Sequence, residues 1–206
     1  MTYTVEQALK WIMKSNEKIQ NNKDYLSELD QAIGDGDHGI NMARGFDEVV
    51  KKIDGNDYAQ VSDVLKDVAM TLMSKVGGAS GPLFGTAFLK MSMAVKGEEA
   101  VTYDTFVTAL EDAVAGIKQR GKAEEGEKTM IDVWSPVAER MKDADDFAAS
   151  VIRDNAKSSM EATKDIVATK GRAAYLKERS KGHLDPGSVS SYYIFEALAE
   201  SLREEA

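Results

Sequence analysis

The chain has 206 residues, 43% of them hydrophobic, no cysteine, and a formal net charge of −9 at pH 7. The lack of cysteine excludes disulfides and thiolate metal sites, and the negative charge argues against nucleic acid as a ligand, because a phosphate backbone is bound by a basic surface. No signal-like segment precedes Thr4 and no apolar run approaches the ~20 residues of a membrane span, so we expect a soluble, cytoplasmic protein without membrane contact.

Hydrophobic residues recur at helical spacing along the whole chain. Helices are predicted from Val5 to Ile19, from Asp24 to Ile33, from Gly39 to Ile53, from an Asp57 cap to Val76, from Pro82 to Met91, from Thr102 to Ile117, from Met130 to Met141, from Phe147 to Val167 and from Asp185 onward. Pro136 either kinks its helix or marks a restart. No stretch alternates with a period of two. We therefore predict one domain over residues 1–206, an all-α bundle or barrel of about eight antiparallel amphipathic helices.

The segment from Asp30 to Asn41 is dense in polar chemistry. It places Asp30, Asp35 and Asp37 within eight residues, separated by two glycines and followed by a histidine. Carboxylates this close repel one another by about 1 kcal/mol per pair at 4 Å in water, and by more when partly buried. A magnesium or calcium ion with oxygen ligands would relieve that repulsion. The alternative is a simple turn in which aspartate caps the next helix.

Two other motif assignments fail. An EF-hand loop counted from Asp35 would have Ile40 where glycine is required and Phe46 where the bidentate glutamate is required. The segment 116–123 nearly matches a P-loop, but Ala123 replaces the magnesium-binding hydroxyl and the segment continues a helix. Magnesium held for a phosphate-bearing ligand is the better interpretation of the acidic segment.

A second glycine-containing loop, Gly77–Gly81, also precedes a helix. Small residues let backbone N–H groups approach an anion, and the Ser80 hydroxyl adds a donor. An ordinary helix connection is the alternative. His38 opens the helix after the acidic loop, where a neutral imidazole could donate to a phosphate or ribose oxygen. Lys170 and Arg172 could neutralise a phosphate or simply be solvated.

Five motifs occur in order along the chain: Asp30-x-x-x-x-Asp35-Gly-Asp37-His38-Gly-x-Asn41, Gly77-Gly-Ala-Ser-Gly-Pro-Leu-Phe-Gly-Thr86, Arg120-Gly-Lys-Ala with Glu127-Lys-Thr-Met130, Lys170-Gly-Arg172, and Gly182-His-x-Asp-Pro-Gly187. Over essentially the whole chain, this sequence resembles the nucleotide-binding L subunits of bacterial dihydroxyacetone kinases. Ser188 departs from the family, in which alanine usually follows Asp-Pro-Gly.

The resemblance implies a barrel of eight antiparallel helices that binds ADP or ATP with two Mg²⁺ ions at one end. The metal ligands would be Asp30, Asp35 and Asp37. The nucleotide-binding residues would be His38, Gly39, Ile40, Asn41, Gly77, Gly78, Ala79, Ser80, Gly121, Met130, Arg172, Asp185, Pro186 and Gly187. Gly121 and Met130 would line the nucleotide pocket beneath a mobile loop over 121–128. No catalytic base is expected in this chain.

The resemblance also implies partners. A separate K subunit would hold dihydroxyacetone, and a phosphohistidine on an M subunit would recharge a retained ADP to ATP. Two alternatives remain open: a kinase subunit that uses free, exchangeable ATP, and a non-catalytic metal-nucleotide module that signals through a protein such as a transcription regulator. The sequence also leaves a homodimer open.

Overall fold

The computed structural model describes residues 2–98 and 100–202. Within these residues lie nine α-helices: α1 (Val5–Asn21), α2 (Lys23–Ile33), α3 (His38–Ile53), α4 (Val61–Lys75), α5 (Ser80–Ala94), α6 (Tyr103–Gly121), α7 (Ile131–Lys142), α8 (Ala149–Ala162) and α9 (Pro186–Ser201). Two short strands, β1 (Thr2–Tyr3) and β2 (Val101–Thr102), pair antiparallel. The chain also forms 3₁₀ segments at Thr163–Asp165 and Arg172–Ser180.

Eight of the helices form a closed ring. Each of α3 to α8 packs against the next helix in chain order, α9 packs against α1, and α1 packs against α3. The remaining helix, α2, packs on α3 and α9. This arrangement confirms the predicted all-α class. Across residues 2–98 and 100–202, no helix combines the length and apolar character required to cross a membrane.

Aromatic side chains fill the interior of the ring. Phe88 of α5 lies between Trp11 of α1 and Trp134 of α7, with ring centroids 5.3 Å and 6.4 Å away. Trp134 also contacts Phe195 of α9 at 4.8 Å. All four side chains are fully buried, and each contributes roughly 1.5–3 kcal/mol by leaving water. Because the four helices share one core, the loops at the end of the ring start from a rigid frame.

The helix predictions hold best where a local cap defines the boundary. The Thr102 side chain accepts a hydrogen bond from the Thr105 N–H at the start of α6, and Asp185 does the same for Ser188 at the start of α9. The predicted Asp57 cap is wrong, because α4 begins at Val61 after Gln60 and has no side-chain cap. The helix α7 passes through Pro136 without a restart.

The late part of the chain departs most from prediction. The predicted helix from Phe147 to Val167 is too long, since α8 ends at Ala162 and a 3₁₀ turn follows. The Thr163 carbonyl accepts from the Lys128 ammonium and from the Ile166 N–H, so no α-helical bond to Val167 forms. The 3₁₀ segment Arg172–Ser180, which the sequence did not predict, has a break at Lys177.

Candidate functional site

Alternate connections of the helical ring meet in one cleft. The loops α2–α3, α4–α5, α6–α7 and α8–α9 all contribute to its lining, and the cavity volume is about 220 Å³. The predicted site residues that line it are Asp30, Asp35, Asp37, His38, Asn41, Gly77, Gly78, Ala79, Ser80, Met130, Arg172, Asp185, Pro186 and Gly187. The structure thus brings together residues that are more than 150 positions apart in the sequence.

Four helices present their N-terminal ends to this cleft. Helices α3, α5 and α9 begin at the cleft-lining residues His38, Ser80 and Pro186, and α7 begins directly after the cleft-lining Met130. The unpaired N–H groups and the dipole at each helix N-terminus stabilise a nearby negative charge by about 0.3–1 kcal/mol. Four such ends around one cavity therefore favour an anionic ligand.

The acidic triad forms one side of the cleft. Asp30, Asp35 and Asp37 each place a carboxylate oxygen within 4.8 Å of the others. The Asp30 Oδ2 atom accepts hydrogen bonds from the N–H groups of Asp37 (2.9 Å) and His38 (3.1 Å), which fixes the loop around it. A Cβ atom at Gly34 would collide with Asp30 Oδ1. The sequence therefore needs glycine there to seat this carboxylate.

Electrostatics at the triad favour a cation. Burial raises the pKa of Asp30, the charges of Asp35 and Asp37 add to the rise, and the two backbone N–H groups oppose it. The guanidinium of Arg172 lies 2.8 Å from Asp35, but its side chain is 69% exposed. Three oxygen ligands at this spacing fit a hard divalent cation such as Mg²⁺, with further coordination positions left for water or phosphate oxygens.

His38 lies between two serine hydroxyls. Its Nε2 atom is 2.7 Å from Ser190 Oγ and its Nδ1 atom is 3.1 Å from Ser80 Oγ. Burial lowers the pKa of His38 to about 4, so the imidazole is neutral near pH 7. With both ring nitrogens engaged, His38 holds the Ser80 hydroxyl at the start of α5.

The glycine-rich loop is shaped by its neighbours. A Cβ atom at Gly77 would lie 2.8 Å from Asn41 Oδ1, so only glycine lets this loop approach α3. The same Asn41 oxygen accepts a hydrogen bond of 2.8 Å from Arg44, which orients the amide. Gly78 has φ of +65°, a conformation that favours glycine. The loop consequently brings bare backbone to the edge of the cleft.

Three predicted nucleotide-binding residues do not line the cleft. Ile40 is 56% exposed on the surface of α3. Gly39 packs against α2, where an added Cβ atom would lie 2.6 Å from Ser27 Oγ. Gly121 lies behind the cleft-lining Leu83, whose Cδ2 atom would be 3.2 Å from a Cβ atom at Gly121.

Comparison with known proteins places the chain in a family. The profile of the DAK2 domain matches residues 32–200. The chain belongs to the DAK2-domain family. It is 50% identical to the Listeria innocua protein named PEP-dependent dihydroxyacetone kinase 1, ADP-binding subunit DhaL, covering 98% of each chain. It is 51% identical to the Lactococcus lactis protein named PTS-dependent dihydroxyacetone kinase, ADP-binding subunit DhaL, covering 96% of this chain and 97% of that one.

The fold of this DAK2-domain chain also matches a solved structure. The dihydroxyacetone kinase from C. freundii in complex with AMP-PNP and Mg²⁺ superposes with a TM-score of 0.74. The match covers 98% of this chain and 35% of that chain, at 23% identity. The two proteins share a helical fold, and this chain spans about a third of the larger one.

In the DAK2-domain chain, Lys128 is a buried residue beside the cleft that was not predicted from the sequence. Its side chain is only 1% exposed, and its ammonium donates to the carbonyl oxygens of Thr163, Ile166 and His183. The motif Glu127-Lys-Thr-Met130 was the available signal, but nothing in it shows that the lysine points inward. The candidate Lys170 lines the cleft. The structure adds further lining residues that were not predicted: Ile33, Gly34, Leu83, Phe84, Lys128, Thr129, Gly171 and Ala173.

Asp185 both caps α9 and has an ionisation equilibrium that is altered by burial. Its Oδ2 atom accepts from the Ser188 N–H at 2.7 Å. Burial raises the pKa of Asp185 to about 6; the nearby Asp132 adds to the rise, and the positive charge of Lys128 opposes it. This wall of the cleft thus combines a capped helix end with a carboxylate that is costly to ionise.

Proposed function

We propose that this chain is the ADP-binding subunit of a phosphoenolpyruvate-dependent dihydroxyacetone kinase, a phosphotransferase that acts in the cytoplasm. The observation that carries the proposal is the meeting of a carboxylate triad with four helix N-termini in one cleft. A cation site beside an anion site suits a metal-bound phosphate chain. Full-length relatives at 50% and 51% identity carry the same subunit name.

In this proposal the triad of Asp30, Asp35 and Asp37 holds Mg²⁺, two ions when the nucleotide is bound. The metal held by these carboxylates would supply positive charge to neutralise the negative charge that develops during phosphoryl transfer. The Ser80 hydroxyl, oriented by His38, donates to the phosphates together with the N–H groups at the start of α5. Arg172 already contacts Asp35, so its guanidinium can reach a phosphate beside the triad.

The nucleoside lies along the other side of the cleft. Met130 lies next to Gly187, since a Cβ atom added at Gly187 would be 3.7 Å from the Cβ atom of Met130. Asp185, Pro186 and Gly187 close this side at the start of α9. Predicted contacts from Gly39, Ile40 and Gly121 would require the ligand to extend beyond the cleft or the loop over 121–128 to move onto it.

The acceptor half of the reaction belongs to a partner. His38, the histidine among the residues that line the cleft, has both ring nitrogens engaged, and burial lowers its pKa to about 4, so it is too weak a base to deprotonate a hydroxyl efficiently. The K subunit would therefore hold dihydroxyacetone. The hydroxyl oxygen of dihydroxyacetone accepts the γ-phosphoryl group of ATP and gives up its proton, which leaves ADP on this chain. A phosphohistidine of the M subunit then transfers its phosphoryl group to the β-phosphate oxygen of the retained ADP.

Single-turnover chemistry tests this proposal. The chain is loaded with ATP and Mg²⁺, freed of unbound nucleotide by gel filtration, and mixed with K subunit carrying dihydroxyacetone. We expect about one equivalent of dihydroxyacetone phosphate per chain, with ADP left bound. Continued turnover should then require the phosphohistidine protein and not free ATP. The Asp37→Asn variant is the control without a complete metal site.

Two results would contradict parts of the proposal. Sustained turnover with free ATP alone would show an exchangeable substrate instead of a retained cofactor. Tight Mg-ADP binding with no phosphoryl transfer to dihydroxyacetone in the presence of both partners would favour the regulatory alternative.

A further inference from the structure

Lys128 is a buried cation without a role in the proposed phosphoryl transfer. Its side chain is 1% exposed, in the loop between α6 and α7. The ammonium donates to the carbonyl oxygens of Thr163 (2.5 Å), His183 (2.5 Å) and Ile166 (3.1 Å). An ammonium group has three donors and no acceptor. All three are used, so Lys128 has none left for a phosphate.

The backbone conformation of Lys128 is unfavourable for a residue with a side chain. Its φ angle is +63°, in the left-handed region where glycine is favoured and a side chain is strained. Burial of the ammonium lowers the pKa of Lys128, while Asp185, Asp132 and Asp165 oppose that shift. Strain and desolvation together oppose a lysine here. The three carbonyl contacts must offset both costs.

The contact between Lys128 and Thr163 belongs to a closed circuit of hydrogen bonds. Thr163 accepts from Lys128 through its carbonyl and from the Asp185 N–H through Oγ1, at 3.2 Å. Asp185 accepts from the Ser188 N–H at 2.7 Å, and Ser188 Oγ donates to the Thr129 carbonyl at 2.8 Å. Thr129 follows Lys128 in the chain, which completes the circuit. Ser188 supplies two of these links, one through its N–H and one through its hydroxyl.

The circuit surrounds one wall of the cleft. Thr129, Met130 and Asp185–Gly187 line the cavity. Thr129 and Met130 precede α7, whereas Asp185–Gly187 lie at the start of α9, so no single helix holds the two groups together. In the acidic triad, by contrast, Asp30 lies in the last turn of α2 and Asp35 and Asp37 lie on the α2–α3 loop. None of these three residues is bonded to Lys128 among the hydrogen bonds described above.

We propose that Lys128 is a positioning residue for the nucleotide site, and that its ammonium holds the wall of Thr129, Met130 and Asp185–Gly187 in binding geometry before the ligand arrives. This inference rests on the proposed function for the identity of the ligand. It assigns the lysine to the nucleoside side of the cleft and not to the metal side. Pre-ordering this wall raises the apparent affinity for the ligand, because a larger fraction of the free chain is already in the conformation that binds.

The test compares Lys128→Met with Lys122→Met. Lys122 is the matched control, because it lies in the same loop with φ of +50° but is exposed. Binding of Mg-ADP and of magnesium pyrophosphate is measured by calorimetry, and hydrogen exchange is measured on the ligand-free chains. In Lys128→Met we expect Mg-ADP to bind at least about tenfold more weakly, which is the loss expected when only about one-tenth of the free chain has the binding conformation. Magnesium pyrophosphate should bind as in the wild type.

Hydrogen exchange should change in the same place. Amides of 127–130 and 183–188 should exchange about tenfold faster in Lys128→Met, since the local opening is then that much more populated. Lys122→Met should match the wild type in every measurement. Lys128→Arg, which keeps the charge, should lie between the wild type and the methionine variant in Mg-ADP affinity.

Several results would overturn the assignment. Unchanged Mg-ADP affinity and unchanged exchange would show that the wall does not depend on Lys128. Equal losses of Mg-ADP and pyrophosphate binding would place the effect on the whole site. If Lys128→Met does not fold, the same comparison is made with Lys128→Arg and judged by the same criteria. If the wild type does not bind Mg-ADP, the proposed function fails, while the exchange comparison still decides whether Lys128 holds the wall.

Discussion

The guanidinium of Arg172 lies 2.8 Å from the Asp35 carboxylate, so a residue of the α8–α9 connection contacts the acidic loop across the mouth of the cleft. In the ligand-free chain this side chain partly neutralises the triad. A metal ion at the triad competes with it for Asp35, whereas a bound phosphate offers it a new partner. Arg172 should therefore oppose binding of the metal alone and favour binding of the metal-nucleotide.

Substitution of Arg172 by glutamine should separate these two effects. Because the pair is mostly exposed, its energy is small, and Mg²⁺ without nucleotide should bind at most about fivefold more tightly in Arg172→Gln. Mg-ADP should bind more weakly. Calorimetry measures both, with Arg179→Gln in the same 3₁₀ segment as the control. A variant that weakens both ligands would show that Arg172 does not compete with the metal.

Loss of a triad carboxylate should abolish tight nucleotide binding and leave the fold intact. Asp35→Asn and Asp37→Asn each remove a charged ligand on a loop outside the helical core. The loss of ADP affinity should exceed the roughly 10- to 100-fold typical of outer-shell partners of a metal. Circular dichroism should be unchanged. Asp112→Asn on the exposed face of α6 is the control, and retained ADP affinity in the triad variants would count against a metal-bridged site.

Gly39 should matter for packing rather than for ligand contact. A Cβ atom at this position would press on the Ser27 N–H (2.8 Å) and Oγ (2.6 Å) of α2. Gly39→Ala should therefore lower the free energy of unfolding of the ligand-free chain by about 1–3 kcal/mol, as overpacking does. Ile40→Ala at the neighbouring exposed position should stay within about 0.5 kcal/mol. Urea unfolding measures both, and equal stabilities would refute the packing role.

The raised pKa of Asp185 makes a prediction about pH. Its pKa is near 6 in the folded chain and 3.8 as the ordinary value, so the folded state binds more protons between these values. The stability contributed by this residue is thus largest in acid and falls as pH rises from about 4 to above 6, by up to about 3 kcal/mol. Asp185→Asn keeps a capping oxygen but cannot ionise.

Urea unfolding in a metal chelator, at several pH values, isolates this effect. The stability of the wild type relative to Asp185→Asn should decline over that pH range and be flat above it. A difference that does not change with pH, or that grows toward neutral pH, would show that the carboxylate ionises without cost.

Local chemistry explains which features the sequence reveals. The start of α9 is encoded by Asp185 and Pro186 within two positions, and the acidic triad lies in one short segment. Lys128 could not be assigned in the same way, because its carbonyl partners are 35, 38 and 55 residues away. Main-chain carbonyls carry no sequence signature. The same applies to His38, whose partner Ser190 is 152 residues distant and was not predicted.

Identification of the ligand carried by the purified chain is the sharpest test of whether ADP is a retained cofactor. The protein is denatured, the released small molecules are identified by mass, and magnesium is counted in the same sample. We expect nearly one ADP per chain, with magnesium, because a retained cofactor survives purification. An empty protein that binds ATP only weakly would contradict it and would favour free-ATP turnover or a regulatory role.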